Sequence, residues 1–252
     1  MTTVPSASQW GSPIASKRAL LVHGGNSSSH TFHRVASMLA AKGGSSSLER
    51  PGVDFRVQTL ADDLLPYLQA AEYDIVIGHS IGGLVVLSLL KYLPRTRPVS
   101  VVLIDTSVEL SAEQMAVVRK PKVPNDVRAR PNPTVEDYVA SNPLWTREDA
   151  IWRSLGIQIG RATNYDDHMD GNMPWSFSHL FADRPAAAKL TILIADPQSQ
   201  ANGALKLEAV AKFKEVRVVI VPNVSHWIHH EFPEVIVEEA LRNIGEERGD
   251  GP

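Results

Sequence analysis

The sequence predicts an α/β fold: a mostly parallel, doubly wound sheet with an inserted helical cap. Three observations point there. Five short strand-like runs end in turn-forming or small residues, the segments between them have helical spacing, and one long stretch breaks the alternation. At 252 residues the chain is at the upper end of what one hydrophobic core serves. A composition of 43% hydrophobic and 21% charged residues is that of an ordinary globular protein.

From the N-terminus, Met1–Ser16 is polar, rich in Gly, Ser and Pro, and expected to be loose. Ala19–Val22 reads as a buried parallel strand before Gly24 and Gly25, and His33–Ala41 as a helix. The next interval, Lys42–Gly52, is polar, and only the brief Val53–Val57 offers a strand there. The strand Asp74–Ile77 follows the helical Leu60–Ala70 and runs into Gly78; Leu84–Leu93 is again helical. Val99–Ile104 forms a strand before Asp105. Glu109–Pro185 then holds no convincing strand, only amphipathic pieces (Ser111–Val118, Val135–Ala140, Thr146–Leu155) between Pro-rich joints, and is read as the cap. The strands Leu190–Ile194 and Val216–Val221 complete the sheet, with helices at Lys206–Phe213 and at Pro233–Ile244, which opens on a first-turn proline. The core is expected over residues 17–108 and 186–245, the cap over 109–185, and a loose tail over 246–252. In such sheets ligands bind at the carboxyl ends of the strands.

Charge and composition exclude several function classes. Twenty-five Lys and Arg against 28 Asp and Glu leave a net charge of −3, too weak a field to hold a nucleic acid or an anionic membrane surface. The absence of cysteine removes disulfides, thiolate metal sites and a Cys nucleophile. The longest apolar run, Ile81–Leu90, is about half a bilayer span. No basic segment followed by a hydrophobic one opens the chain, so a cytoplasmic location is expected.

The most informative segment is Gly78-His79-Ser80-Ile81-Gly82, which follows a buried strand and opens an apolar helix. A serine in so sharp a strand-to-helix turn has its hydroxyl lifted clear of the sheet, while the helix behind it aims free N–H groups at a developing oxyanion. Ser80 is the expected nucleophile and the Ile81 amide one oxyanion donor. The second donor is expected from Gly25, or Asn26 next to it, in the loop after the first strand. His23 is expected to shape that loop rather than act as a base. A serine hydroxyl needs a general base, and His226, in the loop after the last strand, is the histidine at the right rim. His229 and His230 are expected to be solvated or to cap a helix. No metal or cofactor is expected: no carboxylate or histidine pair at helical spacing faces these three histidines, and Asp166–Asp170 reads as a solvated turn. The imidazole needs an acid. Asp196 fits the order Ser, Asp, His; Asp105, one strand earlier, reaches the same rim, and its bland role is a turn or N-cap.

With Leu20–Asn26, Gly78–Gly83, Asp196 and Val221–His230 in view, the chain resembles the α/β-hydrolase superfamily, and its fungal AB hydrolase-1 members in particular. The resemblance covers most of Arg18–Ile244. It implies Ser80 as nucleophile, His226 as base, a strand-end aspartate as acid, Gly25 and Ile81 as oxyanion hole, and esterase, lactonase or related acyl-transfer activity. Two family features are missing from the sequence: the D-x-x-G-x-G loop with its strand after the first helix, and the N-terminal hairpin. The strand leading to His23 is therefore expected near an exposed edge, where unpaired backbone favours self-association.

Trp145, Trp152, Trp175, Phe177 and Phe181 concentrate aromatic area in the cap, and Trp227 adjoins the base. Of these, Trp145, Trp175, Phe177 and Trp227, with Asn26 and His79, are the expected substrate contacts. Arg119, Lys120, Lys122, Arg128 and Arg130 crowd one cap stretch, which reads by default as a solvated loop. The expected function is cleavage of a small apolar ester or lactone through an acyl-enzyme. The alternative is a weak or inactive relative whose cap binds a small molecule or a partner.

Overall fold

The structure is a computed structural model that describes residues 6–41, 44–49, 54–119, 133–159, 165–197 and 203–245. Seven strands form one sheet: β1 (Ser6–Trp10), β2 (Arg18–Val22), β3 (Gly44–Glu49), β4 (Ile75–His79), β5 (Val99–Ile104), β6 (Ala188–Ala195) and β7 (Arg217–Val221), in spatial order β1-β3-β2-β4-β5-β6-β7. Every neighbouring pair is parallel except β1 with β3. The helices, in chain order, are α1 (His33–Ala40), α2 (Val57–Ala70), α3 (Ile81–Leu89), α4 (Ala112–Arg119), α5 (Val135–Ser141), α6 (Arg147–Ile159), α7 (Tyr165–Asp170), α8 (Gly203–Val210), α9 (Ile228–Glu231) and α10 (Pro233–Gly245).

The central strands are aliphatic along their whole length because both faces are covered. Their side chains alternate between two cores. Leu20, Val76, Val101, Leu103, Ile192 and Ile194 face α2, α3 and α8. Leu21, Ile75, Ile77, Val102, Ile104 and Leu193 face α1 and α10. The five expected strands and their helices occur at the expected places, with ends shifted by a few residues. The four cap helices lie in the insertion between β5 and β6.

Three expectations are corrected. The polar stretch after α1 does supply a strand, β3, at Gly44–Glu49 rather than at Val53–Val57. The N-terminal segment is not wholly loose, because Ser6–Trp10 pairs antiparallel with β3. As a result β2 lies inside the sheet between β3 and β4, not at an edge. The Ser-rich Gly44–Glu49 lacks the aliphatic signal that marks the central strands; its backbone ladders to β1 and β2 define it instead. The tail 246–252 lies outside the described residues. No helix among the described residues is long and apolar enough to cross a membrane.

Candidate active site

Among the described residues, four other than glycine have positive φ: Asn26 (51°), Ser80 (54°), Asp105 (48°) and Asn223 (57°). They follow β2, β4, β5 and β7, so backbone strain collects at one rim, the carboxyl ends of the parallel strands. At Ser80 the chain turns sharply from β4 into α3 (φ 54°, ψ −122°). The Ser80 N–H donates to the Ile104 carbonyl at 2.9 Å, and the Ser80 carbonyl accepts from the Gly83 N–H at 3.0 Å and the Thr106 hydroxyl at 3.2 Å. The turn is thus held from both sides. Ile81 begins the helix, so its amide is among the donors that no helical carbonyl satisfies. The loop after β2 passes directly over the turn. A methyl on Gly82 would run into the carbonyl oxygens of Val22 and His23, and one on Gly24 would come within 2.8 Å of His79 Nδ1 and 3.1 Å of Ser80 Cβ. Gly25 lies beside Ile81, whose Cγ2 is 3.8 Å from where a Gly25 side chain would begin.

The acid beside His226 is Asp105. Nδ1 of His226 donates to Asp105 Oδ2 at 2.6 Å, and the Ala195 N–H donates to Oδ1 at 3.0 Å. The expectation that Asp196 would hold the imidazole is corrected: Asp196 accepts from the Asn223 amide at 3.1 Å and shapes the turn after β7. The bonding reaches one strand further because Asp105, at the end of central β5, lies between β4 and β6. Its carboxylate is fully buried, yet the Lys206 ammonium and the His226 imidazole hold it well below the usual carboxylate range against the upward push of burial. Lys206 is the residue that sequence reasoning missed. It is 5% exposed and pairs with the same Oδ2 that His226 uses. The available signal was a lysine four residues before the buried Val210, on the inward face of α8.

Beneath this rim lies a cluster of imidazoles. His79, an expected substrate contact, is buried under the loop. Its Nε2 donates to the His226 carbonyl at 3.0 Å, and the two rings are 4.6 Å apart, so it packs beneath His226. His229 and His230, expected at the surface, are fully buried, because α9 turns inward onto the 3₁₀ turn at Ser29–Phe32. The Thr31 hydroxyl bridges His229 Nε2 (3.0 Å) and His230 Nε2 (3.1 Å). Burial lowers the pKa of all three. For His79 the neighbouring His226 lowers it further, for His229 His79 does so, and for His230 the bond to Asp149 partly restores it.

The aromatic residues divide. Trp175 is buried in the main core, donates to the Ser107 carbonyl at 2.7 Å and meets Phe177 edge-on, so this pair welds cap to sheet rather than lining the site. Trp145 and Trp227 lie edge to face beside the base loop (centroids 5.6 Å apart). Arg153, from α6, stacks its guanidinium 4.3 Å over Trp227 and donates to the Asn26 carbonyl, joining the oxyanion loop to the base loop. His23 bonds through Nδ1 to the adjacent Gly24 carbonyl, a local role. In the Asp166–Asp170 stretch His168 is buried, with its ring 4.3 Å from Phe55. The basic stretch begins at Arg119, the last residue of α4, and runs into residues 120–132, outside the described residues.

A model of the Alpha/beta hydrolase family matches residues 19–239. No curated protein matches in sequence. Among solved structures, E-2-(acetamidomethylene)succinate hydrolase aligns with a TM-score of 0.68 at 16% identity, covering 95% of this chain and 94% of that one. Naproxen esterase (carboxylesterase NP) from Bacillus subtilis aligns with a TM-score of 0.67 at 16% identity, covering 94% and 86%. Est816, an N-acyl homoserine lactone degrading enzyme, aligns with a TM-score of 0.62 at 11% identity, covering 93% and 94%. At these identities the likeness is one of fold.

The buried imidazoles set a pH dependence of stability. Unfolded, His79, His229 and His230 take up protons around pH 6.5; folded, their lowered pKa values delay uptake, so the unfolded state binds protons first. Stability is complete above about pH 6.5 and falls below it, by up to about 1.4 kcal/mol per pH unit for each imidazole. The carboxylates of Asp105 and Asp149, whose pKa values are also lowered, lose their contribution only below the ordinary carboxylate range, about pH 4. Chemical denaturation of the wild type between pH 7 and pH 5 should therefore show a falling stability. His229→Gln should flatten that slope by about one proton's worth; an unchanged slope would show that these rings do not stay neutral in the fold.

Proposed function

The chain belongs to the alpha/beta hydrolase family, and from that premise we propose that it is a serine hydrolase cleaving a carboxylic ester or lactone of a small apolar substrate through an acyl-enzyme. The observation that carries the reading is the bond from His226 Nδ1 to the buried Asp105 carboxylate, beside the strained turn that presents Ser80. That bond leaves Nε2 of the imidazole as the basic nitrogen. In the reaction Nε2 takes the Ser80 hydroxyl proton as the oxygen attacks the acyl carbonyl. The carbonyl oxygen gathers negative charge and is received by the amides of Gly25 and Ile81. The imidazolium, stabilised by Asp105, returns its proton to the leaving alkoxide. A water deprotonated by the same nitrogen then releases the acid and frees Ser80. Likeness in fold to a carboxylesterase and to a lactone-degrading enzyme supports this substrate class.

Lys206 adds a feature of its own. Its ammonium shares Asp105 Oδ2 with the imidazole and so offsets part of the negative charge that would otherwise stabilise the imidazolium. The rings facing His226 include those of Trp227 and of His79, the latter held neutral by burial.

A fluorophosphonate probe should label the wild type stoichiometrically and leave Ser80→Ala unlabelled; a folded wild type that takes no label would instead favour a binding role for the cap. With a chromogenic acyl ester, Asp105→Asn should lower kcat by roughly 10⁴-fold, while Asp196→Asn, folded alike, stays near wild type. The opposite ranking would return the acid's role to Asp196. Lys206→Met should move the acid limb of the pH–rate profile upward by about 1 pH unit, because the imidazolium then feels the whole carboxylate charge, whereas Lys206→Arg should leave the limb near its original position. A limb that does not move in Lys206→Met would remove Lys206 from the tuning of the base.

A further inference from the structure

On the far side of the imidazole cluster, away from Ser80, His230 meets two residues that the reaction does not use. His33 is the first residue of α1 on the core, and Asp149 lies in the first turn of α6 in the cap. One ligand atom from each of His33, Asp149 and His230 lies within 4.8 Å of the other two. No local pattern around His230 marks a carboxylate opposite it, because α6 brings Asp149 there from 81 positions away.

The carboxylate of Asp149 is fully buried and its two oxygens do different work. Oδ2 accepts from the Thr146 N–H (2.8 Å) and the Thr146 hydroxyl (2.7 Å) at the start of α6, with the Arg34 guanidinium 3.6 Å away. This oxygen is occupied by donors that fix the group's orientation. Oδ1 faces two imidazole nitrogens, His230 Nδ1 at 2.8 Å and His33 Nε2 at 3.5 Å. His33 Nδ1 lies 3.2 Å from the His30 carbonyl, which can only accept, so Nδ1 carries the proton. That leaves Nε2, 3.5 Å from Asp149 Oδ1, as the His33 nitrogen that would meet a metal ion. A ring whose distal N–H is fixed by a backbone carbonyl, and a carboxylate whose distal oxygen is fixed by hydrogen-bond donors, are the outer supports that metal ligands commonly have.

We propose that His33, Asp149 and His230 bind one divalent transition-metal ion of the zinc class, with the Glu148 carboxylate as a fourth ligand. Glu148 Oε2 lies 4.0 Å from the same His33 nitrogen on a side chain that is 63% exposed, while its Oε1 accepts from Trp152 Nε1 at 3.2 Å, a surface bond that an inward turn would give up. Two carboxylates and two neutral imidazoles balance a divalent charge, and a nitrogen–oxygen donor set without sulfur suits zinc and its neighbours. Binding through His230 Nδ1 moves that ring's proton to Nε2, where the Thr31 hydroxyl accepts it. The ion has a route in: His33, Thr146 and Glu148 line a surface cleft of about 550 Å³ together with Trp10, Arg34 and Trp152. The Arg34 guanidinium approaches Oδ2 and donates to the His230 carbonyl, so it holds the ligands from behind rather than taking the ion's place. An ion here ties α1 and α9 of the core to α6 of the cap. The inference does not depend on Ser80 chemistry.

The test is titration of the full-length protein, freed of metal with a chelator, with zinc by calorimetry and with cobalt by visible absorption. The expected result is one saturating site per chain at micromolar zinc, the intense d–d bands of four-coordinate cobalt, and a thermal midpoint raised by zinc. His33→Gln, at a side chain 12% exposed, should weaken binding at least tenfold and abolish the thermal shift while the circular dichroism stays that of the wild type. Glu148→Gln, on the surface, should weaken binding less and change the cobalt spectrum. No saturable binding to the wild type would overturn the proposal. Zinc binding that survives unchanged in both variants would overturn it as well, by putting the ion elsewhere.

Discussion

A single buried carboxylate organises the rim of this molecule. Asp105 sits where β5 ends, with a positive φ that turns its side chain back across the sheet toward β6 and the loop after β7. Removing an ion from water costs several kcal/mol unless partners replace the lost hydration, and Asp105 has three: the Ala195 amide, the Lys206 ammonium and the His226 imidazole. Those partners come from the end of β6, from α8 and from the base loop, so satisfying one charge fixes three segments that are distant in sequence. The same requirement decides between the two aspartates. Asp196 lies one strand toward the edge and is half-buried, where it accepts from the Asn223 amide of a turn, while His226 Nδ1 donates to Asp105.

The elbow depends on space rather than charge. Its strain is sustained because the surrounding backbone leaves no alternative. Ser80 is hydrogen-bonded to the end of β5 and to Thr106, and Gly82 admits the carbonyls of Val22 and His23 against the first turn of α3. The glycines of Gly78–Gly83 therefore belong to the packing of β2 on α3 as much as to the nucleophile. That is why the motif is informative only together with its flanks: a G-x-S-x-G without a buried strand before it and an apolar helix after it has nothing to press the turn into place.

The difference between what the sequence revealed and what it concealed follows the same physics. The central strands and their helices are legible because burial on both faces writes continuous aliphatic runs between turn residues, and Ser80 and His226 are legible because each stands just past such a run. β3 is not legible. Gly44–Glu49 carries little apolar signal of its own and is defined by ladders to β1 and β2, which are pairings across distance rather than patterns within a window. The roles of Lys206, Asp149 and Arg153 were hidden for the same reason: a buried charge declares itself only beside its partner, and each partner is 101, 81 or 127 positions away. His229 and His230 were misread as solvated because the sequence does not show that the 3₁₀ turn at Ser29–Phe32 would bury them.

Helix α6 links these arguments. Its first turn carries Asp149, bonded to the buried His230, and one turn further on Arg153 bonds the Asn26 carbonyl of the oxyanion loop and covers Trp227 beside the base. Trp145, just before the helix, donates to Glu231, which in turn receives the Ser225 amide of the base loop. The helix thus holds both the loop after β2 and the loop after β7. A cap that swung away as a rigid lid would carry α6 with it, leaving the buried Asp149 without His230 and the positive-φ Asn26 without its clamp.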